Sequence, residues 1–562
     1  MPTPTAADSS ADARIAALEA ALSAERDRVA ALLRERDVLR ASHERLRQEL
    51  ELLKRRIFVA KAERVDSAQL ELEFAEKLAE LDRLGGADPS EDSPTPTKTK
   101  ARPTGRRDLR KASIEEVRVE LSDPLFDDLV AQGKAERIGF EESCKLAWQR
   151  GGMRRLLIAR VKYRTVDTQG RSVVETTPMP VETFARSLAA PSMLAHIATE
   201  KHCDGLPLHR IEDRFARDGV PVDRGTMCRW LEDAGATLGA TVVAAMKADA
   251  LARAFCIATD ATGVAIQPIR THEKGHKPCR RGHYFVLVAD RDHVLFEYTQ
   301  KETAAFVGQM LHGFKGYVQA DAKSVYDALF RPPDPDDPED DPDRAVPHEV
   351  GCWAHARRKF WEATIARDVV AREGLARIGR IFELDAGWRA KPPSEIGRLR
   401  QVHLRPHIEA FFAWADQQYA LVREQRGLLR TALGYAVRQR PALVRVLENG
   451  GLLLDNNRSE RELRRVAVGR KAWLFSGSDD HADAASHLFS VIASARLHGL
   501  DPETYLRDIF RLLAHWPRDR YLELAPLHWA STRARLDPDQ LAREVGDVSI
   551  PAPLAEQQSG AR

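Results

Sequence analysis

Apolar residues near the start of the chain recur at alternating intervals of three and four, which is the pattern of a helix that packs on a partner helix along one narrow stripe. The stripe runs through residues 15–57 and lies within a longer helical region, 11–84. Three polar residues interrupt it: Glu25, Arg36 and His43. The pattern predicts a coiled coil over 15–57 that joins copies of the chain in a homo-oligomer. A long helix packed on the protein's own body is the alternative interpretation.

Residues 85–107 lack this periodicity and are rich in Pro, Ser and Thr, which predicts a flexible linker. After it, residues 108–185 mix short strand-like runs with polar turns and carry no chemical motif. This mixture indicates a small accessory domain. At the other end of the chain, residues 546–562 are predicted to be a disordered tail.

A helix, a turn that contains Gly219 and a second helix are predicted within residues 206–234. Asp223 stands where it can cap the second helix. The arrangement has the shape of a helix-turn-helix, and we assign residues 186–245 to a helical DNA-binding segment of this kind. In such segments the early residues of the second helix contact bases or phosphates. These residues are Arg224, Thr226 and Arg229. An ordinary pair of packed helices is an equal alternative.

From Ala254 onward the pattern changes to short apolar runs rich in Val, Ile, Phe and Tyr, which are typical of strands. The runs are AFCIATD, GVAIQ, HYFVLVAD and VLFEYT, followed by the helical TAAFVGQMLHGF, the strand GYVQAD, the helical DAKSVYDALF and the strand EVGCWAH. Counted as three strands, the four runs begin the order strand, strand, strand, helix, strand, helix, strand. In a mixed sheet of this order the first strand can lie beside the fourth. Asp260 and Asp321, each placed where a strand leaves its apolar run, would then meet.

A third acid, Glu460, falls in the first turn of a predicted helix whose start can be capped by residues 455–457. The long interval between Asp321 and Glu460 implies that a mostly helical insertion, about 378–447, is spliced between the last strand and this helix. The sequence therefore predicts a multi-domain α/β protein with a mixed-sheet core over 250–495.

Three carboxylates suit phosphoryl transfer, because this reaction needs the charge of the phosphate neutralised and an attacking oxygen activated. Two Mg²⁺ ions, for which Mn²⁺ can substitute, serve both needs, and Mg²⁺ prefers oxygen ligands. Asp260 is assigned the position between the ions, with Asp321 and Glu460 each holding one. Taken singly, each acid is more often a solvated turn residue, so the prediction depends on all three together.

The composition excludes several classes of protein. A chain of 562 residues is too long to fold around one hydrophobic core, so we expect several domains. Its 43% hydrophobic and 30% charged residues are typical of a globular protein. No apolar run is long enough for a membrane span, and the first residues do not resemble a secretory signal, so we expect a protein that stays inside the cell. The six cysteines include no CxxC pair, which disfavours a disulfide framework and a zinc site.

The formal net charge of +2 conceals separate acidic and basic regions. An acidic loop over 331–345 offsets basic clusters that flank the predicted catalytic acids. Contact with DNA phosphates is the favoured role of these clusters over a solvated helix face. They are Arg357, Arg358 and Lys359 after the last predicted strand, and Arg461, Arg464, Arg465, Arg470 and Lys471 after Glu460.

Two further residues lie near the predicted acids. His355 can stabilise a leaving oxygen, although a packed or hydrogen-bonded histidine is the more common case. Trp473 can stack on a flipped base, although a tryptophan in the core is the more common case.

Several long motifs resemble those of the insertion sequence 66 family of bacterial transposases. They are LKRRIFVAKAER, LPLHRIEDRF, GYVQADAKSVYDAL, GCWAHARRKFWEA, DNNRSERELRRVAVGRKAWLFSGS and, near the end, GLDPETYLRDIF with LAPLHW. The resemblance implies a ribonuclease-H-like catalytic core with an Asp, Asp, Glu triad, which falls on Asp260, Asp321 and Glu460. It also implies a family-specific C-terminal region, 496–545.

The resemblance further implies DNA cleavage and strand transfer at the ends of an insertion sequence. The expected partners are double-stranded DNA with terminal inverted repeats, target DNA and accessory transposition proteins, in the bacterial cytoplasm at the nucleoid. Two features depart from the family: a cysteine-rich zinc element is missing, so no zinc is expected, and Ala261 follows Asp260 where the family usually has Glu. The alternatives are a nuclease that does not join strands and a DNA-binding module with a decayed active site.

Overall fold

The computed structural model of the protein describes residues 28–29, 114–149, 151–166, 169–185, 187–268, 278–333, 344–365 and 368–554. The predicted coiled coil, apart from residues 28–29, and the predicted linker lie outside the described residues. So does most of the acidic loop, at 334–343. The elements below belong to one compact unit formed by residues 107–270 and 279–562. Within the described ranges, no helix is both long and apolar enough to cross a membrane.

The first sheet contains β1 (Glu115–Leu121), β2 (Ala135–Gln149), β3 (Gly152–Val166) and β4 (Ser172–Thr176), with helix α1 (Pro124–Ala131) between β1 and β2. β3 is central. β2 pairs with it in antiparallel orientation along one side, and on the other side β1 pairs in parallel with its first part and β4 in antiparallel orientation with its last part. The turn between β2 and β3 passes through Gly151 and Gly152, whose φ values of 106° and 136° are rarely adopted by other residues. A mixed sheet therefore occupies the region predicted as an accessory domain.

Four helices connect this sheet to the second one: α2 (Pro191–His202), α3 (Leu208–Arg217), α4 (Arg224–Leu238) and α5 (Ala244–Arg253). α3 forms because its apolar residues Leu208, Ile211 and Phe215 return every three or four positions and are buried together. Asp223 caps α4 as predicted, since its carboxylate accepts a hydrogen bond from the Gly225 N–H at 2.8 Å. Both predicted helices are present on either side of the turn.

A five-stranded mixed sheet lies at the centre of the unit. Strands β5 (Cys256–Ile266), β6 (Arg280–Ala289) and β7 (His293–Thr299) are antiparallel neighbours, and β8 (Tyr317–Gln319) and β9 (His348–Val350) continue the sheet in parallel on the other side of β5. Helix α6 (Ala304–Met310) precedes β8, and a 3-10 helix (Ser324–Phe330) follows it. The order β7-β6-β5-β8-β9 confirms that the first strand lies beside the fourth.

Three details of this sheet correct the sequence prediction. AFCIATD and GVAIQ form one strand, because β6 is long enough to pair with β5 as far as Ile266, so Asp260 lies within a strand and not at its end. DAKSVYDALF contains a 3-10 helix instead of an α-helix. The last strand ends at Val350 and a helix begins at Trp353, so only the first part of EVGCWAH is extended.

Six helices follow β9: α7 (Trp353–Ile365), α8 (Val369–Ala386), α9 (Pro393–Leu399), α10 (Arg405–Val422), α11 (Leu428–Arg438) and α12 (Arg440–Val444). All but α9 share a hydrophobic core, to which Trp353, Phe360 and Phe411 contribute large buried rings. The segment predicted as a helical insertion at about 378–447 is helical, and the helices begin earlier, at Trp353.

Five helices complete the described chain: α13 (Asn457–Trp473), α14 (Asp479–Leu497), α15 (Pro502–Leu512), α16 (Pro526–Arg533) and α17 (Pro538–Ala542). The prediction of a disordered tail is wrong for residues 546–554. Val548 is buried, and the carbonyl of Gly546 accepts a hydrogen bond from Arg511 Nη2. This segment packs on the helices that precede it.

Alternate residues of β6 pack on opposite faces of the sheet, as the pleat requires. Tyr284 and Val286 share a core with Leu463 of α13. Phe285 and Leu287 point the other way, into the core built with α2–α5. The five-stranded sheet is therefore covered by helices on both faces, with α13 on one of them.

Helix α14 lies along β7, the strand at one edge of this sheet. The N–H of Val294 donates to Ser494 Oγ at 2.9 Å, and the N–H of Phe296 donates to Ser490 Oγ at 2.7 Å. Both serines are fully buried and one helical turn apart. They satisfy main-chain groups that an edge strand otherwise leaves without partners.

Candidate active site

Asp260 lies within β5, and Asp321 follows the end of the adjacent parallel strand β8 by two residues. In the register of β5 and β8, Ala258 pairs with Gln319. Asp260 comes two residues after Ala258, and Asp321 comes two residues after Gln319. The ammonium of Lys323 lies between them, with Nζ 3.7 Å from Asp260 Oδ1 and 3.4 Å from Asp321 Oδ2. The structure therefore brings these two acids together, and they share one counter-ion.

Glu460 lies in the first turn of α13, and the loop before this helix is fixed to β5. The fully buried side chain of Asn456 donates from Nδ2 to the carbonyl of Thr259 at 2.8 Å. The N–H of Glu460 in turn donates to the carbonyl of Asn456 at 3.3 Å. Because Thr259 immediately precedes Asp260, these two bonds hold the helix of the third acid beside the strand of the first.

Among residues 455–457, which were predicted to cap α13, the side chain of Asp455 accepts a main-chain hydrogen bond at the start of the helix and that of Asn456 does not. The Asp455 carboxylate accepts a hydrogen bond from the Asn457 N–H at 3.2 Å. Asn456 occupies the N-cap position but makes no side-chain cap, because its amide is used on β5.

Helix α7 brings His355 to the third acid. The start of this helix is fixed near α13, since the Trp353 N–H donates to the carbonyl of Leu454 at 2.9 Å. His355 Nε2 lies 3.7 Å from Glu460 Oε1. His355 is thus close to Glu460, and it belongs to a helix rather than to the predicted strand.

The carboxyl group of Asp260 is perturbed by its surroundings. Burial raises its pKa, and the nearby charges of Asp321 and Glu460 act in the same direction. The N–H of Ala261, which donates to Asp260 Oδ1 at 2.7 Å, and the Lys323 ammonium oppose this effect, but the pKa of Asp260 stays above its ordinary value. A raised pKa is what crowded carboxylates with too few counter-charges produce.

Sequence reasoning missed Lys323 and Glu302. Glu302 lies at the turn between β7 and α6, with Oε1 3.5 Å from Lys323 Nζ and Oε2 3.4 Å from His283 Nδ1. Burial lowers the pKa of Lys323, but the surrounding carboxylates of Asp321, Asp260 and Glu302 outweigh burial and raise it. The position of Lys323 two residues after Asp321 was a usable signal; nothing in the sequence near Glu302 points to the site.

The donor set suits a hard divalent cation, although it is not closed around one. Asp260, Asp321 and Glu460 offer carboxylate oxygens, which Mg²⁺ prefers, and Oδ1 of Asp321 is buried without a hydrogen-bond partner among the described residues. In those same ranges, no three His, Cys, Asp or Glu side chains stand close enough together to hold a metal ion. The residues fit the metal in their chemistry, and binding requires the carboxylates to draw together.

Helix α13 carries the basic cluster that follows Glu460, and most of it is accessible. Three of its side chains are exposed: Arg461, Arg464 and Lys471. Arg465 is half-buried, with Nε 3.3 Å from a carboxylate oxygen of Glu462. With Lys201 from the end of α2, the three arginines at 461, 464 and 465 line a cleft of about 320 Å³.

Arg470 is the exception in this cluster. Its Nη1 donates to Thr262 Oγ1 at 3.0 Å and also to the carbonyl of Gly263. Both acceptors belong to β5, so Arg470 anchors α13 on the sheet. This inward orientation replaces the phosphate contact that the sequence predicted for it.

Trp473 at the end of α13 is 5% exposed and belongs to the core between that helix and the sheet. The Lys201 ammonium lies 5.8 Å from the centre of its ring. Of the two roles considered for Trp473, packing in the core agrees with this position. Stacking on a flipped base does not, because the ring is enclosed.

The residues of α4 that were predicted to contact DNA differ in their exposure to solvent. Arg224 is 7% exposed, with Nε 3.9 Å from Glu212 Oε2. This position disagrees with the predicted contact between Arg224 and DNA, because the charge is buried. Arg229 is exposed, and its Nη2 donates to Thr226 Oγ1 at 3.2 Å. Thr226 and Arg229 remain accessible on the helix.

On α7, Arg357 and Arg358 are exposed, whereas Lys359 is half-buried with its ammonium 5.0 Å from the ring centre of Tyr435. These residues lie within the helix, not after a strand, because α7 begins at Trp353. Their charges are still close in sequence to His355, which contacts Glu460.

Comparison with known proteins supplies the family. A profile described as "Transposase IS66 family" matches residues 186–484, more than half of the chain. This chain belongs to the IS66 family of transposases. A profile of the "IS66 C-terminal element" matches residues 490–527, and one described as "Transposase C of IS166 homeodomain" matches residues 45–119. The resemblance inferred from the motifs is confirmed.

Two proteins of Sinorhizobium fredii (strain NBRC 101917 / NGR234) are similar to this IS66 transposase. "Uncharacterized protein y4hP" is 25% identical over 456 residues, which cover 77% of this chain and 79% of that protein. "Uncharacterized protein y4qI" is 26% identical over 394 residues, or 66% of this chain and 70% of that protein. No solved structure matches the chain. The names of these relatives state no activity, so the chemistry is argued from the site itself.

Proposed function

We propose that this IS66 transposase cuts DNA at the ends of an insertion sequence and joins the freed ends to target DNA, with Asp260, Asp321 and Glu460 as its catalytic acids. One observation carries the proposal: an acid within β5 and an acid just after the adjacent parallel strand β8 share the Lys323 ammonium. The N-cap residue before the helix of the third acid is hydrogen-bonded to the strand of the first. Carboxylates gathered in this way from distant parts of the chain are typical of metal-dependent phosphoryl transfer.

The fold supports a ribonuclease-H-like catalytic core, which the resemblance implies. Three antiparallel strands are followed by two parallel ones in the order β7-β6-β5-β8-β9, and α13 packs on one face of this sheet. In this proposal α7–α12 are an insertion between the last strand and the helix of Glu460. The insertion explains the long interval between Asp321 and Glu460 in the sequence.

Asp260, Asp321 and Glu460 would hold two Mg²⁺ ions, for which Mn²⁺ can substitute. When bound, the ions neutralise charge on the phosphate and activate the attacking oxygen. The protein's own groups orient the ligands. Asn456 fixes the start of α13, and His355 stands where it can orient the Glu460 carboxylate, as outer-shell partners of metal ligands do.

Exposed basic residues close to the acids are proposed to contact DNA phosphates. Arg464 follows Glu460 by four residues and so lies one turn away on the same face of α13. The cleft lined by Arg461, Arg464, Arg465 and Lys201 continues from this point. Such contacts position the DNA without reading its sequence. Arg229, Arg357 and Arg358 are exposed on other helices and are proposed to add further phosphate contacts.

The proposed partners are double-stranded DNA with terminal inverted repeats, target DNA and accessory transposition proteins. Two element ends must be held together before they are joined, and the predicted coiled coil over 15–57 would bring at least two copies to them. The place of action would be the nucleoid in the bacterial cytoplasm.

The test is a cleavage and joining assay with Mg²⁺ on DNA that carries the element ends. Asp260→Asn, Asp321→Asn and Glu460→Gln are each expected to reduce both cleavage and joining to the background without enzyme. Glu462→Gln, two residues from Glu460 on the same helix, is the matched control and should retain activity.

The products distinguish the alternatives. Undiminished cleavage by the three variants would place the active site elsewhere. Cleavage by the parent protein without joined products would identify a nuclease. DNA binding without cleavage would identify a module with a decayed site. The specific reason for considering this outcome is that Ala261 replaces the Glu that usually follows the first acid.

A further inference from the structure

Lys323 reaches the acids because the chain turns back directly after β8. The N–H of Lys323 donates to the carbonyl of Asp321 at 2.8 Å, which forms a tight turn. The side chain then extends across the Asp321 carboxylate toward β5. Its Nζ lies within 3.7 Å of carboxylate oxygens from three separate elements: Asp260, Asp321 and Glu302.

Glu302 is the third carboxylate near this ammonium, with Oε1 3.5 Å from Lys323 Nζ. It directly precedes Thr303, whose hydroxyl caps α6 by accepting from the Phe306 N–H at 3.2 Å. Its Oε1 is buried and makes no hydrogen bond within the described residues, so the ammonium at 3.5 Å is the charge nearest to it that the structure records. The carboxylate is therefore placed for an ion pair rather than for a hydrogen bond.

The ammonium is held by charge and not by short bonds. Its three distances, 3.4–3.7 Å, exceed the ordinary length of a hydrogen bond between nitrogen and oxygen. The Lys323 side chain is 41% exposed, so water reaches it and screens each pair. A long flexible side chain in this setting can leave at small cost, and the carboxylates it leaves behind then need another cation.

We propose that the Lys323 ammonium is the resident counter-ion of the carboxylate site and that an entering divalent cation displaces it. The inference rests on the proposed function, because it takes Asp260 and Asp321 as metal ligands. Lys323 is then a positioning residue: it keeps the two carboxylates together before the metal arrives and competes with the metal for them.

Thermal unfolding of the full chain during titration with MgCl₂ or MnCl₂ tests this without using activity. Lys323→Met removes the charge but keeps most of the side chain's length. Without metal, this variant is expected to unfold at a lower temperature than the parent, since the carboxylates lose their cation. Its midpoint for stabilisation by metal should fall about threefold to tenfold, because the competitor is gone.

Two control variants accompany it. Lys323→Arg keeps the charge and should titrate close to the parent. Lys301→Met removes an exposed lysine near Glu302 and should leave the midpoint unchanged. An unchanged midpoint in Lys323→Met, or an equal shift in Lys301→Met, would overturn the inference.

Asp321→Asn separates this inference from the proposed function. If Asp321→Asn responds to metal as the parent does, the metal site of the proposed function is wrong, whatever Lys323→Met shows. If Asp321→Asn loses the response while Lys323→Met titrates like the parent, only the inference fails. If Lys323→Met is unfolded without metal, refolding on addition of metal supports displacement, and failure to refold contradicts it.

Discussion

The side-chain amide of Asn456 donates to the carbonyl of Thr259 at 2.8 Å, across 197 residues of sequence. Thr259 precedes one proposed catalytic acid, Asp260, and Asn456 precedes another, Glu460, by one helical turn. This buried hydrogen bond between a loop and a strand is thus the link closest to both acids, beside the bonds from Arg470 to β5 farther along α13. Few residues outside the acids themselves have so direct an influence on the geometry of the site.

Asn456→Ala is expected to lower both stability and activity. It leaves the buried carbonyl of Thr259 without its donor, which costs about 1–3 kcal/mol of unfolding free energy. Cleavage should fall about 10–100-fold, as for outer-shell partners of metal ligands. Denaturant unfolding and the cleavage assay measure the two effects. Asn457→Ala, at the exposed neighbouring position, is the control, and equal cleavage by the two variants would contradict the assigned role.

Asp260→Asn is expected to stabilise the protein in the absence of metal. The Asp260 carboxyl has its pKa raised by burial and by its acidic neighbours, so the folded chain keeps this proton to a higher pH than the unfolded chain, which releases it near 3.8. Wherever the folded state binds more protons, stability falls as pH rises. The ionised carboxylate therefore destabilises the fold at neutral pH, and the amide removes this cost.

Thermal unfolding in a metal chelator, from about pH 3 to about pH 8, checks this expectation. The unfolding temperature of Asp260→Asn should exceed that of the parent at neutral pH, and the difference should vanish below the ordinary pKa of the carboxyl. Glu424→Gln, whose side chain is 87% exposed, should show no such gain. A variant no more stable than the parent at neutral pH would mean that Asp260 carries no such penalty.

Arg464 and Arg470 lie on one helix, but their replacement is expected to have different effects: loss of DNA affinity for Arg464 and loss of stability for Arg470. Arg464 is exposed, so Arg464→Ala should weaken DNA binding and reduce the slope of log affinity against log salt by about 0.9 for the lost phosphate contact. Arg470 is bonded to Thr262 and Gly263, so Arg470→Ala should instead cost about 1–3 kcal/mol of stability. Binding isotherms at several salt concentrations, beside denaturant unfolding, compare them. Identical salt slopes for Arg464→Ala and the parent would remove Arg464 from the DNA path.

The helical region that follows β9 depends on a buried ion pair. Arg400 and Asp385 are 2% and 5% exposed, and Arg400 Nε donates to Asp385 Oδ1 at 2.8 Å. The Nη1 of Arg400 also donates to the carbonyls of Val446 and Asn449. Arg400→Met leaves a buried carboxylate without its partner and should destabilise the protein by about 3–5 kcal/mol.

Denaturant unfolding measures this loss, and a second substitution tests its cause. Arg400→Met combined with Asp385→Leu should recover much of the stability, because no charge is then left buried alone. Arg405→Met, which breaks an exposed pair with Glu409 and exposed hydrogen bonds to Gln401, should change the unfolding free energy by about 0–1 kcal/mol. A double variant as unstable as Arg400→Met would attribute the loss to packing.

The sequence predicted the elements of the central sheet and one contact between them. Apolar runs and polar breaks were enough to order the strands, and the order alone indicated that the strand of Asp260 lies beside the strand of Asp321. The ends of the strands were harder to predict. β5 continues beyond Asp260 because β6 pairs with it there, and this depends on a partner strand whose length the local pattern does not contain.

Side-chain direction was the least predictable property. The spacing of basic residues on α13 did not distinguish Arg464, which faces outward, from Arg470, which bonds to β5, because the choice depends on where the sheet lies. Glu302 was missed for a similar reason: it reaches Lys323 through a turn between a strand and a helix. Such encounters arise from tertiary packing, whereas periodicity reports only which face of an element is apolar.

The serines of α14 have a consequence for how copies of this chain can associate. Ser490 and Ser494 occupy the outer side of β7, and beyond β9 the guanidinium of Arg445 donates to the carbonyl of Glu349 at 2.5 Å. Main-chain groups of Val294, Phe296 and Glu349 in the two outer strands are thus already engaged. This disfavours extension of the sheet by a foreign strand, which is a common route to aggregation. Copies of this chain are therefore expected to associate through surfaces other than the borders of the central sheet.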